Sequence, residues 1–185
     1  MMNHLRILVT GLAKPHRGRY GTPVIYSRLL AAGLDPKECV MYRWGTVEVI
    51  IQYIRLVQPK RITAAGHSYG VSTLMMVAKA LEKECVFNNI ISTDGVWREK
   101  IDSPQFKSLF DGHKIKVPSN VENLYAWYQR RGIIQGHPFE VSSDVLRLWE
   151  EVKGVPHAKM DRIPQFSNMC MELMRGNSWQ DFMAL

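Results

Sequence analysis

At 185 residues and 46% hydrophobic, the chain can bury one good core but not two, so a single domain spanning 1–185 is expected. A charged fraction of 22% excludes a disordered chain, and no apolar run approaches the roughly 18 residues of a membrane span. The net charge of +7 raises the question of nucleic acid, but the basic residues are scattered and no helix-turn-helix, RNA-binding or zinc-finger signature is present, so that partner is not expected.

The start has only Ile7-Leu8-Val9 as its apolar centre and no small-residue cleavage site after it, unlike a signal peptide. Cys39, Cys85 and Cys170 are odd in number and widely spaced, which fits neither a disulfide framework nor a zinc site. The reading is a cytoplasmic protein with reduced thiols, no metal and no cofactor. Oligomeric state is not legible.

Leu5-Arg6-Ile7-Leu8-Val9-Thr10 is short, β-branched and ended by Gly11, which predicts a buried strand. A Gly/Pro/basic loop from Ala13 to Gly21 follows. Thr22 to Gly33 then predicts a helix, with Thr22 as cap, Pro23 at its start and Gly33 as its stop. Glu38 to Tyr42 reads as a strand. Thr46 to Val57 carries Val47, Ile50, Ile51 and Ile54 at helical spacing and stops before Pro59. Arg61 to Ala65 is a strand running into Gly66, and Gly70 to Leu81 is a helix rich in Leu, Met and Ala. Asn89 to Thr93 is a short buried strand ended by Asp94-Gly95. Val121 to Tyr128 and Val145 to Val152 read as further strands, and Ile163 to Met174 as a closing helix. Strands alternating with helices of about 10–15 residues predict an α/β fold, doubly wound around a mostly parallel sheet of about six strands.

The chemistry is concentrated at Gly66-His67-Ser68-Tyr69-Gly70, where a strand turns sharply into a helix. Gly-x-Ser-x-Gly lifts a serine hydroxyl above the sheet edge on a strained turn, and its flanking residues must be small because backbone passes close by. The following helix aims its N-terminus at the same spot, where the N–H of Tyr69 can face a developing oxyanion.

In these residues the sequence resembles the α/β-hydrolase superfamily, especially compact esterase- and lipase-like members without a large lid. The resemblance runs through Ile7-Leu8-Val9-Thr10-Gly11-Leu12, the Ser68 turn, Ile91-Ser92-Thr93-Asp94-Gly95-Val96 and Gly154-Val155-Pro156-His157-Ala158-Lys159-Met160-Asp161. It implies a minimal α/β-hydrolase fold and a serine nucleophile.

A serine needs a base oriented by a carboxylate, and in this fold the chain order is serine, acid, histidine. His4 and His16 precede Ser68, and His67 is expected to point away from it. His157, in a short loop between the last strand and the closing helix, is the preferred base, with His137 second. Asp94 ends a strand at the edge where side chains face a crevice and is the preferred acid, ahead of Asp144 and Asp111. Asp161 is expected to cap the closing helix. The backbone N–H groups of Tyr69 and Leu12 are the expected oxyanion hole.

The implied activity is hydrolysis of a small-molecule ester or thioester through an acyl-enzyme. Tyr20, Tyr69, Trp97 and Trp127 are candidates for an acyl or aryl pocket, Ile101 to Lys116 for a flap, and Arg17 and Arg19 for contacts to an anionic leaving group. The alternative is a catalytically silent scaffold that binds rather than turns over.

Overall fold

A computed structural model describes residues 2–12, 21–97, 114–130 and 134–178. In chain order the elements are β1 (His4–Thr10), α1 (Thr22–Ala31), β2 (Cys39–Arg43), α2 (Val47–Val57), β3 (Arg61–His67), α3 (Tyr69–Ala80) and β4 (Asn89–Thr93). There follow β5 (Ile115–Lys116), β6 (Leu124–Tyr128), β7 (Phe139–Glu140), β8 (Leu146–Glu151), a 3-10 helix His157–Arg162 and α4 (Pro164–Arg175). Six strands form one parallel sheet in the order β2-β1-β3-β4-β6-β8, and β5 and β7 pair separately.

Period-two alternation sorts the core into two layers. Leu5, Ile7 and Val9 of β1 face the layer containing Ile50, Ile54, Leu74 and Met75, so α2 and α3 cover that side. Leu8 faces the other layer with Ile25, Leu29, Phe166 and Met169, so α1 and α4 cover the opposite side. The chain therefore crosses from one face to the other between α1 and α2. That reversal puts β1 and β3 side by side at the switch point of the sheet, where a doubly wound fold opens a crevice beyond its strand ends.

Most expected elements are present, and the exceptions have local causes. The strand expected from Val121 starts only at Leu124, because Val121 makes an isolated bridge to Phe87 and its N–H turns back to the Pro118 carbonyl. Thr22 does not cap α1 with its own side chain; it is the first helical residue, and Gly21 takes the cap position. The two-residue strands β5 and β7 carry no legible periodicity and were not expected.

Candidate active site

β3 delivers Ser68 and β4 delivers Asp94, and both residues leave their strands with positive φ, 55° and 48°. Such backbone is costly for a residue with a side chain, on the order of 1–3 kcal/mol, and persists only where surrounding bonds enforce it. Here they do. The Ser68 N–H donates to the Thr93 carbonyl at 3.1 Å, the Ser68 carbonyl accepts from Val71 and Val96, and the Asp94 N–H donates to Trp127 at 2.7 Å. A Cβ on Gly70 would lie 2.4 Å from the Val9 carbonyl oxygen, so only glycine lets α3 begin this close to β1.

The structure brings Ser68, His157 and Asp94 into one hydrogen-bonded chain. Ser68 Oγ lies 2.8 Å from His157 Nε2, and His157 Nδ1 lies 2.5 Å from Asp94 Oδ2. A neutral imidazole with its proton on Nδ1 satisfies both contacts, donating to the carboxylate and accepting from the hydroxyl. Asp94 is fully buried, while the His157 side chain keeps 15% exposure, so the chain of groups runs from the interior to the surface. Gly11 passes directly over the turn: a Cβ there would be 3.1 Å from Ser68 Cβ, which places the start of the Leu12 loop beside Ser68.

Solved structures share this architecture. Est1E from Butyrivibrio proteoclasticus matches with a TM-score of 0.52 at 13% identity, over 100% of this chain and 90% of that one. A protein described as a predicted CIB-like hydrolase from Thermoplasma acidophilum matches at 0.50 and 15% identity, over 94% of this chain and 87% of that one. The chain has the α/β-hydrolase fold. No protein-family model and no curated protein matches the sequence.

Within this α/β-hydrolase fold the other expected site residues fall in different places. His137 is buried on the far side of Asp94, where its Nδ1 accepts the Trp97 N–H at 3.2 Å and its own N–H donates to Gly95. It therefore secures the end of β4 and does not meet Ser68. Asp144 forms its hydrogen bonds locally at Ser142, in the turn before β8. Trp127 is core, 1% exposed, with Nε1 donating to Glu150. Asp111, Tyr20, Arg17, Arg19 and the expected flap up to residue 113 lie outside the described residues.

One expectation, that for Asp161, is corrected, and His67, expected to point away from Ser68, lies against the loop that carries His157. Its ring stands 5.1 Å from that of His157, and its Nε2 is 3.0 Å from the His157 carbonyl oxygen, a bond in which Nε2–H donates. Asp161 does not cap the closing helix. Its Oδ2 accepts the N–H of Thr22 at 3.2 Å and the Thr22 hydroxyl at 3.4 Å, so it caps α1 from across the fold. Because the 3-10 helix carries both His157 and Asp161, that cap anchors the histidine's own element. A carboxylate is favoured there by the partial positive charge of the first turn of α1.

Gln129 was missed. At the end of β6, it donates its N–H to Asp94 Oδ1 at 3.1 Å and its Nε2 to Asp94 Oδ2 at 2.9 Å, with a further bond from Nε2 to the Ile134 carbonyl. The available signal was its position, a polar residue at the C-terminal end of the strand beside the one that bears Asp94. Trp44 was also missed. Its ring lies 5.6 Å from that of Tyr69 and its N–H donates to the Thr10 carbonyl, so the aromatic pair flanks the Ser68 turn.

Among the described residues no His, Cys, Asp and Glu cluster is arranged to hold a metal ion, and no described helix is long and apolar enough to cross a membrane.

Proposed function

We propose that this chain is a serine hydrolase that cleaves a carboxylic ester or thioester through Ser68, His157 and Asp94. The observation that carries the reading is the continuous chain Ser68 Oγ–His157 Nε2, His157 Nδ1–Asp94 Oδ2, on a strained strand-to-helix turn. A structural neighbour described as a hydrolase lends support.

In this mechanism His157 takes the Ser68 proton as the hydroxyl oxygen attacks the substrate carbonyl carbon. Asp94 stabilises the imidazolium that forms, and His157 then protonates the leaving alkoxide or thiolate. Water repeats the cycle on the acyl-enzyme and releases a carboxylic acid. The N–H groups of Tyr69 and Leu12 are assigned to the tetrahedral oxyanion, at the start of α3 and in the loop that Gly11 leads over Ser68. The part-exposed rings of Trp44 and Tyr69 and the half-exposed Leu12 offer an apolar face for the acyl or aryl part of a small-molecule substrate. The three cysteines are all free thiols, in keeping with a cytoplasmic setting.

The test is labelling with a fluorescent fluorophosphonate, with the adduct located by mass spectrometry. The expected result is one adduct on Ser68, lost in Ser68→Ala and His157→Ala, with turnover of p-nitrophenyl acetate lost in parallel. A folded protein that neither labels nor turns over would sink this reading and favour a silent binding scaffold.

A further inference from the structure

A cavity of about 460 Å³ lies along α3 between that helix and residues 114–118. Neither Ser68 nor His157 lines it, and Met75, its first helical residue, stands about two turns along α3 from the nucleophile. The volume falls in the range of sites that hold drug-sized molecules.

The lining is divided by chemistry. Trp97, Met75, Val117 and Pro118 present carbon, while Lys79, Glu82, Lys114 and Lys116 supply the charge. Glu82 is already occupied: its carboxylate accepts Lys79 Nζ at 2.5 Å and the Ser119 N–H and hydroxyl at 2.9 Å each. Those bonds, the Lys79 one foremost, pull its pKa down to about 2, so it stays ionised and cancels Lys79. Lys114 and Lys116 remain, with no carboxylate partner among the described residues. Between them Ile115 is fully buried and packs toward Gly95, so strand alternation sends both amines to the same side.

We propose that this cavity binds an organic anion with an aromatic or alkyl body, its charge held by Lys114 and Lys116 and its body resting on Trp97 and Val117. A bare inorganic anion would leave the carbon surface unfilled, and a neutral apolar molecule would leave the two amines unanswered. The proposal does not depend on the catalytic reading, because binding is measured without turnover.

The probe is 1-anilinonaphthalene-8-sulfonate, an aromatic sulfonate whose emission rises in an apolar site, titrated into the intact protein. The expected result is one saturable site that weakens as salt is raised. Lys114→Gln with Lys116→Gln should weaken it about tenfold, the scale expected for two exposed ion pairs. Lys83→Gln with Lys153→Gln removes the same charge from exposed positions outside the cavity and should leave affinity unchanged. All four lysines are exposed, and far-UV circular dichroism checks that both variants fold. Absence of saturable binding, equal loss in both double variants, or no loss in either would overturn the proposal.

Discussion

Gln129 provides the sharpest test of how the site is held. Replacing it by leucine keeps the side chain's bulk but removes the hydrogen bonds from Nε2 to Asp94 Oδ2 at 2.9 Å and to the Ile134 carbonyl at 2.7 Å. The first is made to a fully buried acid and is of the charge-assisted kind, about 1.5–3 kcal/mol; the second is neutral, about 0.5–1.5 kcal/mol. Gln129 is itself fully buried, so water cannot replace the lost donor. The expected loss of stability is about 2–4 kcal/mol by urea unfolding. Turnover should fall as well, chiefly in kcat, because Asp94 loses a bond that fixes the oxygen receiving His157 Nδ1. Gln129→Glu separates positioning from simple packing: its shape is conserved, but it replaces the Nε2 donor by a second carboxylate against Asp94, so kcat should fall at least as far as in the leucine variant. A stability loss under about 0.5 kcal/mol in the leucine variant, or full activity in the glutamate variant, would refute the role given to Gln129.

Asp161→Ala removes both bonds to Thr22 and should cost about 1–2 kcal/mol, a fall in Tm of roughly 2–8 °C by calorimetry, together with lower turnover as the element bearing His157 loosens. An unchanged Tm would show that the cap carries no weight. His4 has its pKa lowered from 6.5 to about 3 by burial first, then by Arg6 and Arg61, so between those values the unfolded chain takes up the proton more readily and stability must fall as pH drops. Urea unfolding at about pH 4.5 and about pH 7 should show a smaller drop for His4→Gln than for the parent, and equal drops would contradict this origin.

The parts legible in the sequence are those whose physics is local. β1, β3 and β4 are short β-branched runs ended by Gly11, the Gly66 turn and Asp94-Gly95, and α2 shows its buried face at Val47, Ile50, Ile51 and Ile54. Gly66-His67-Ser68-Tyr69-Gly70 is legible for the same reason, since the close approach of Gly70 to Val9 restricts the turn to glycine wherever this geometry is built. β5 and β7 are too short for any periodicity, and their pairing depends on residues more than twenty positions apart.

What supports the site is not local, and this explains why the role of Asp161 was misassigned and the partner of His67 was not foreseen. An aspartate four residues after His157 and just before a helix at Pro164 satisfies every local rule for capping that helix. Yet α4 takes Ile163 at its cap with no side-chain bond, and Pro164 at the helix start removes a donor a cap would serve. Asp161 is thereby available to α1, 139 positions away in sequence. His67 likewise reads as an interior residue of a turn, and only the docking of the 3-10 helix brings the His157 carbonyl to its Nε2. His157 is thus gripped from three directions: Asp94 at Nδ1, His67 at its carbonyl and Asp161 through the helix they share. Each grip comes from a different segment of the chain, so a lesion in one should leave the other two to hold the imidazole near Ser68, giving partial loss of activity where Ser68→Ala gives complete loss.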